Sequence, residues 1–598
     1  MSSGPRKGSL LLLPAGLFVF VFCLLPLALL AVTSMSGEDA ALANYRELLG
    51  GETYRRILAG TFLLAGKVTL LCLLLGYPVA YFMSRLGDSW RNICLFLVVV
   101  PYLTSFLVRT YAWIVILADN GVINGTLLAL GAIDTPIPLL YQSAGVLIGM
   151  THIMLPFMIL PLFNVMRQID PRLIQAARSL GSGSSHAFRR VFLPLSVPGI
   201  RSGAILTFVL SLGFYITPLA LGRVRDLTLA GLIEVQVFQL LDNGLAAASA
   251  LILLALTLVV MLAVGGDIAG SAFGRVASPR TPEDETSSSA VQKLFARIFG
   301  RSMREGASEA WYSLRAGMIS RRRANLVAAG RDTRSALSAP AVAGFAWLVL
   351  FLLVLPTVIV IPMSFNDSEY LSFPPQGYSL RWYQSYFSDP AWLEATWLSL
   401  RVALLAALAA TVLGTLAAYS LFRYEFRARK AIVGALMSPL IVPAIVLGIG
   451  LYDLFVRWKL IGSVPGLVIA HTVVAIPYVL VTVSANLAKF DPALERASSS
   501  LGANAVTTFF RITLPLIAPG VVSGALFAFI HSFDEVVVTI FVSGYVTRTL
   551  PLKMWENIRH QVDPTIAAIS ALLLLLLLLW LVVSQLRLAR ERRTLRTI

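Results

Sequence analysis

Three acids stand in stretches where acids are expensive. Asp534 and Glu535 are adjacent, follow Phe533 and sit in an otherwise apolar run, and Asp453 sits in another. A charged side chain at the middle of a membrane helix costs about 2.5–3.5 kcal/mol, so such a residue marks an ion or substrate path by default. Carboxylates there suit a cationic solute, whose ammonium groups they can pair while aromatic faces add cation–π attraction. Neighbouring helical residues point about 100° apart, so one acid can face a path while the other caps or pairs locally. The alternative is structural: acids satisfied by Ser, Thr or backbone, or marking a break in the helix. No catalytic set accompanies them. His152, His186, His471, His531 and His560 are scattered without a shared ligand spacing, so no metal site is expected. Cys23, Cys72 and Cys94 all lie in apolar segments and fit neither a zinc site nor a disulfide framework.

The elements that carry these residues read as membrane helices. The chain has 598 residues, 57% of them hydrophobic and 13% charged, about half the charged share of a soluble domain. Crossing a bilayer core takes about 20 apolar helical residues, and about twelve stretches qualify. They are 10–34, 58–84, 93–118, 142–165, 198–221, 247–268, 341–364, 394–422, 431–456, 464–487, 518–543 and 565–587. The expected fold is an all-α membrane protein. The first stretch exceeds the roughly 7–15 residues of a signal-peptide core and reads as a retained helix. Net charge is +17, but its placement excludes a nucleic-acid binder. Basic clusters follow alternate spans, as at Arg189 and Arg190, at Arg427, Arg429 and Lys430, and at Arg590, Arg592 and Arg593. An even number of spans then puts both termini in the cytoplasm by the positive-inside bias.

The chain repeats itself. Residues 170–199, DPRLIQAARSLGSGSSHAFRRVFLPLSVPG, align without a gap with 491–520, DPALERASSSLGANAVTTFFRITLPLIAPG, at an offset of 321. Upstream, Gly76, Tyr81 and Pro101 pair with Gly414, Tyr419 and Pro439 at an offset of 338, which places an insertion of 17 residues in the loop 119–140. Long-period self-similarity of this kind means two homologous units, expected at 1–269 and 341–598 around a basic linker, 270–340. In the linker, Val291, Leu294, Phe295 and Ile298 share a helical face beside Lys293 and Arg297. That face could rest on anionic membrane lipid, although the composition better fits a plain tether. Each repeated segment falls in a cytoplasmic loop. Asp-Pro opens a short helix, Gly181 or Gly502 ends it where positive φ is cheapest, and Pro194 or Pro515 blocks a simple continuation. The product is a rigid peg shaped for a partner's groove.

At these residues the sequence resembles the permeases of binding-protein-dependent ATP-binding-cassette importers, whose cytoplasmic loop carries Glu-Ala-Ala followed by Gly. The resemblance implies a permease in a bacterial inner membrane, docked on ATPase subunits that carry the ATP and magnesium, and served by a periplasmic solute-binding protein. It implies docking roles for Asp170, Gln175, Ala176, Ala177 and Gly181, and for Asp491, Glu495, Arg496, Ala497, Ser498 and Gly502. The family's Glu is replaced by Gln175 and Arg496, and Ser498 replaces the second Ala. The chain has no ATPase of its own: GTFLLAGKV at 60–68 has one residue too many between its glycines and Val68 where a P-loop needs Ser or Thr. A finer resemblance is to polyamine permeases, through YPVAYFMSR and SLGFYITPLALG in the first half and HSFDEVVVTIFVSG in the second. It implies two permeases fused in one chain, importing spermidine or putrescine. Ferric iron, an opine or thiamine is the alternative cargo, and a secondary transporter the alternative class. The path candidates are Asp534, Glu535, Phe533 and Asp453; the 321 offset puts Gly213 and Phe214 opposite the acid pair, and Phe214 and Tyr215 offer aromatic surface across the interface.

Overall fold

The computed structural model describes residues 5–36, 42–263, 339–369, 373–375, 377–560 and 564–594. The expected linker, 270–340, lies outside the described residues except for its last two positions. In the first half the main helices are α1 (Pro5–Val19), α2 (Leu25–Thr33), α3 (Glu52–Arg85), α4 (Asp88–Leu103), α5 (Phe106–Leu117), α6 (Ser143–Arg167), α7 (Pro171–Ser179), α8 (Leu193–Gly213), α9 (Ile216–Leu221), α10 (Leu229–Phe238) and α11 (Asn243–Ala263). In the second they are α12 (Ala339–Met363), α13 (Pro390–Arg423), α14 (Arg429–Ile441), α15 (Ala444–Arg457), α16 (Val464–Leu487), α17 (Ala493–Ser500), α18 (Leu514–Asp534), α19 (Val537–Val542), α20 (Leu550–His560) and α21 (Thr565–Thr594).

Among the described residues ten helices are long and apolar enough to cross a membrane, and α14 with α15 makes an eleventh if that bent pair is one span. The sequence expectation was about one more by the same length criterion. The difference lies at 565–587, where the apolar part of α21 with described side chains, Thr565–Leu579, is short of that length. Four other expected spans are not single helices. The stretch 93–118 breaks between α4 and α5, where the Thr104 hydroxyl donates back to the Val100 and Pro101 carbonyls at 2.9 Å and Ser105 accepts from the Leu107 amide. Its counterpart, 431–456, bends by 97° between α14 and α15, because Pro443 forces Val442 into an extended conformation. The stretch 198–221 breaks at Phe214 and Tyr215, and 518–543 breaks at Glu535 and Val536. Both breaks keep the 321 offset. So do the π-helical turns Phe188–Phe192 and Phe509–Thr513 that precede Pro194 and Pro515. The inserted loop 119–140 holds a short helix of its own, Val122–Ala129.

Each half packs around three helices, α3, α6 and α8 in the first and α13, α16 and α18 in the second. Close approach explains the small residues there: a Cβ on Gly203 would meet Met158 Sδ at 2.8 Å, and one on its counterpart Gly524 would lie 3.0 Å from the Val479 Cα. The opening helices cross over. α1 and α2 lie on α13 and α15 of the second half, and α12 lies on α3, α4 and α5 of the first. Phe22 meets Phe455 and Trp458 edge-on, and Trp347 of α12 meets Phe82 and Trp90 in the same way. Each half thus holds the other's first helix.

Candidate functional site

The pegs take the form their sequence dictates. Asp170 caps α7 by accepting from the Arg172 amide at 2.9 Å, and Asp491 accepts from Ala493 at the same distance. Gly181 and Gly502 have φ of +82° and +84°. Nothing lies within 4 Å of a Cβ at either, so glycine is required for the left-handed turn rather than for space. Just before each glycine stands a bare leucine, Leu180 at 89% and Leu501 at 88% exposure. Gln175, Ala176, Arg496 and Ala497 are exposed, and Ala177 is partly covered.

Glu495 and Ser498 face the other way. Glu495 is 3% exposed. It pairs with Arg423 Nε at 3.0 Å and accepts from the Tyr419 and Thr513 hydroxyls at 3.2 and 2.8 Å. Ser498 bonds to the Thr508 hydroxyl. In the first half the equivalent positions are Ile174, Arg85, Tyr81 and Phe192. There the Arg85 guanidinium lies over the Tyr81 and Phe192 rings, 4.5 and 5.7 Å from their centroids. One peg is seated on the permease body by a buried carboxylate, the other by an isoleucine and a cation–π stack.

The two acids of α18 separate in role at the break. Glu535 caps α19 through the Val538 amide at 2.9 Å and approaches His531 Nε2 at 3.6 Å. His471 spans the same break, bonding to Ser532 at 2.8 Å and Thr539 at 2.9 Å. Asp534 reaches the first half instead, where its Oδ2 accepts from the Phe106 amide, 3.4 Å away at the start of α5. The Ser105 hydroxyl bonds to the same carboxylate, and the buried Arg109 guanidinium, which donates to the Ile153 carbonyl, lies within electrostatic reach of it. A helix N-terminus of one half therefore holds an acid of the other. Phe106 meets Phe214 edge-on at 5.8 Å, and Phe533 stacks with Phe529. Asp453 is apart from this group. It pairs with Arg457 at 3.3 Å and lines a pocket of about 80 Å³ with Thr33, Asn243 and Tyr452.

Tyr215 belongs to a second group that the sequence did not single out. Its ring is fully buried, and Glu234, Arg559 and Glu535 all lie within electrostatic reach of its hydroxyl. Glu234 of α10 and Arg559 of α20 form an ion pair between the halves. The signal was present as an acid inside the apolar run LAGLIEVQVF, but that run is too short to read as a span. The partner arginine lies 325 positions away.

Two units in one chain, one peg on each, and broken helices meeting where the units face each other define the membrane-spanning part of an ATP-binding-cassette importer. The chain belongs to the binding-protein-dependent transport system inner membrane component family, which matches it twice, over residues 72–265 and 410–595. It is accordingly a multi-pass membrane transport component rather than an enzyme. It is 36% identical over 246 residues to the spermidine/putrescine permease PotB of Salmonella typhimurium (strain SL1344), covering 40% of this chain and 84% of that one. It is 37% identical over 243 residues to the spermidine/putrescine permease PotC of Haemophilus influenzae, covering 40% and 94%. Against the putrescine permease PotI of Escherichia coli (strain K12), identity is 36% over 240 residues, covering 38% and 85%. Less than half of this chain accounts for most of each relative, as two fused units require.

Proposed function

We propose that the chain imports a polyamine, spermidine or putrescine, powered by separate ATPase subunits and supplied by a periplasmic solute-binding protein. The observation that carries the cargo is the likeness of this chain to several polyamine permeases, PotB, PotC and PotI. Buried acids and aromatic rings between the halves suit such a cargo. Uptake of radiolabelled spermidine and putrescine is the test, in cells stripped of their own polyamine uptake and expressing the chain with its ATPase and receptor. Uptake of ferric iron or thiamine with no polyamine uptake would refute the cargo. ATP hydrolysis by the pure chain would refute the division of labour.

In this reading the pegs enter clefts on two ATPase subunits, with magnesium and ATP held there and none on this chain. Leu180 and Leu501 are the anchors, because leucines so bare on a membrane protein's aqueous face ask for a partner. Glu495 positions its peg from behind. Both termini and both pegs are cytoplasmic. Cysteines introduced at Ser182 or Ala503 should react with an impermeant thiol reagent only after the membrane is opened. At the far end of each fifth span, Val224 and Tyr545 occupy equivalent positions at 93% and 94% exposure and suit contact with the receptor. Asp534 lines the path between the halves, Phe214 and Phe533 border it, and Glu535 holds the break beside it; Asp453, paired with Arg457 in a separate pocket, lies off this path.

A further inference from the structure

Glu234 is 4% exposed, and only one of its oxygens is used. Oε1 accepts from Arg559, while Oε2 is buried without a hydrogen-bond partner. The Tyr215 hydroxyl is likewise buried and unpaired. Orphaned buried polar groups are uncommon in folded proteins, and each asks for an explanation. Here two of them fall within electrostatic reach of each other, together with Arg559 and Glu535. All four residues come from elements beside the broken fifth spans, two from each half.

The chemistry is asymmetric. α10 and α20 are repeat equivalents, yet Glu234 corresponds to Trp555 and Arg559 to Phe238. The ion pair therefore exists once, across the interface, and its unsatisfied side has no mirror image. A carboxylate oxygen only accepts and a phenolic oxygen can accept as well as donate, so the carboxylate beside the hydroxyl favours a cation over an anion. A primary ammonium offers three donors, and the buried Tyr215 ring adds aromatic surface. Arg559 holds the opposite oxygen of Glu234 in place when no cation is bound.

We propose that Glu234 Oε2 and the Tyr215 hydroxyl form the seat for one primary ammonium group of the solute, with Arg559 as the positioning residue on the opposite oxygen. This rests on the polyamine reading and names the site where such a solute is held between the halves. The second ammonium group of a polyamine then extends toward Glu535 and the break.

The test is uptake of radiolabelled putrescine and spermidine by the complete importer, with the amount and melting temperature of each purified complex measured in parallel. Glu234→Gln should cut uptake about ten- to a hundredfold, the loss expected for one charge-assisted hydrogen bond. Tyr215→Phe, which removes only a hydroxyl that braces nothing, should cut it about three- to tenfold with melting unchanged. The double variant Glu234→Gln with Arg559→Gln removes both charges and should stay as low as the single. Parental uptake by Tyr215→Phe, or recovery in the double variant, would make the pair a structural brace and overturn the site. If the parental chain imports no polyamine at all, the cargo reading itself fails, whatever the variants do.

Discussion

Glu495 is the residue whose neighbours most change its meaning. Its sequence context suggests a contact offered to the ATPase, yet it points inward to Arg423, Tyr419 and Thr513. Nothing local could reveal this, because those partners are 72, 76 and 18 positions away. Replacing it by Ala should leave Tyr419 and Thr513 without their acceptor. At about 1–3 kcal/mol per unsatisfied buried group, the peg should loosen while the bundle holds. The check is limited proteolysis, with cleavage near α17 rising and α7 unchanged. Glu495→Ile together with Thr513→Phe imports the first half's solution, and should restore protection if the two seats are interchangeable. Gly181 and Gly502 were legible from sequence alone, since a left-handed helix exit is a local property. A valine at either costs about 1–2 kcal/mol in backbone strain. With empty space around it, that strain should re-aim the peg rather than unfold it. The expected outcome is reduced ATPase co-purification and transport with little change in melting temperature. A large fall in melting temperature with docking intact would refute the peg role.

At the scale of elements, the repeat offset predicted more than composition did. Prolines and glycines at matched spacing located the pegs, and both proved to be short capped helices. The breaks in the fifth spans were only half legible. The acid pair hinted at one, but Phe214 and Tyr215 carry no breaking signal of their own, and hydropathy reads straight through. What fixes the second break is a set of polar bridges, His471 to Ser532 and Thr539 and Glu535 to the start of α19. The two acids of α18 should therefore answer differently to neutralisation. Glu535→Gln keeps an oxygen for the cap, so the fold should survive with modestly lower stability. Asp534→Asn removes the nearby negative charge from the buried Arg109, so thermal stability should fall. Adding Arg109→Gln should recover the thermal stability but not cation transport. Recovery of both would show Asp534 to be structural only.

At the scale of the whole molecule, the halves are joined by far more than the chain between them. The exchanged first helices, the contact of Asp534 with α5 and the Glu234–Arg559 pair all cross the interface without any covalent link. Residues 1–269 and 341–598, expressed as two chains in one cell, should therefore co-purify. Co-purification should fail when α12 is deleted from the second chain, and failure of the intact pair to associate would refute the crossed arrangement. Hydropathy placed nearly every helix but was blind to this exchange, because an apolar helix reads the same whichever unit it leans on. The pairing lies in shape: Trp347 between Phe82 and Trp90, and Phe22 against Phe455 and Trp458.

That exchange also sets a timetable for synthesis. The groove formed by α3, α4 and α5 is complete once the first third of the chain has left the ribosome, but the helix that fills it begins at Ala339. Throughout the intervening translation, the aromatic edge of Phe82 and Trp90 must be sheltered by lipid or by the insertion machinery. The first unit reaches its final packing only after the second has begun to enter the membrane. A ribosome stalled in the linker would leave an inserted but unfinished half, a natural target for membrane quality control.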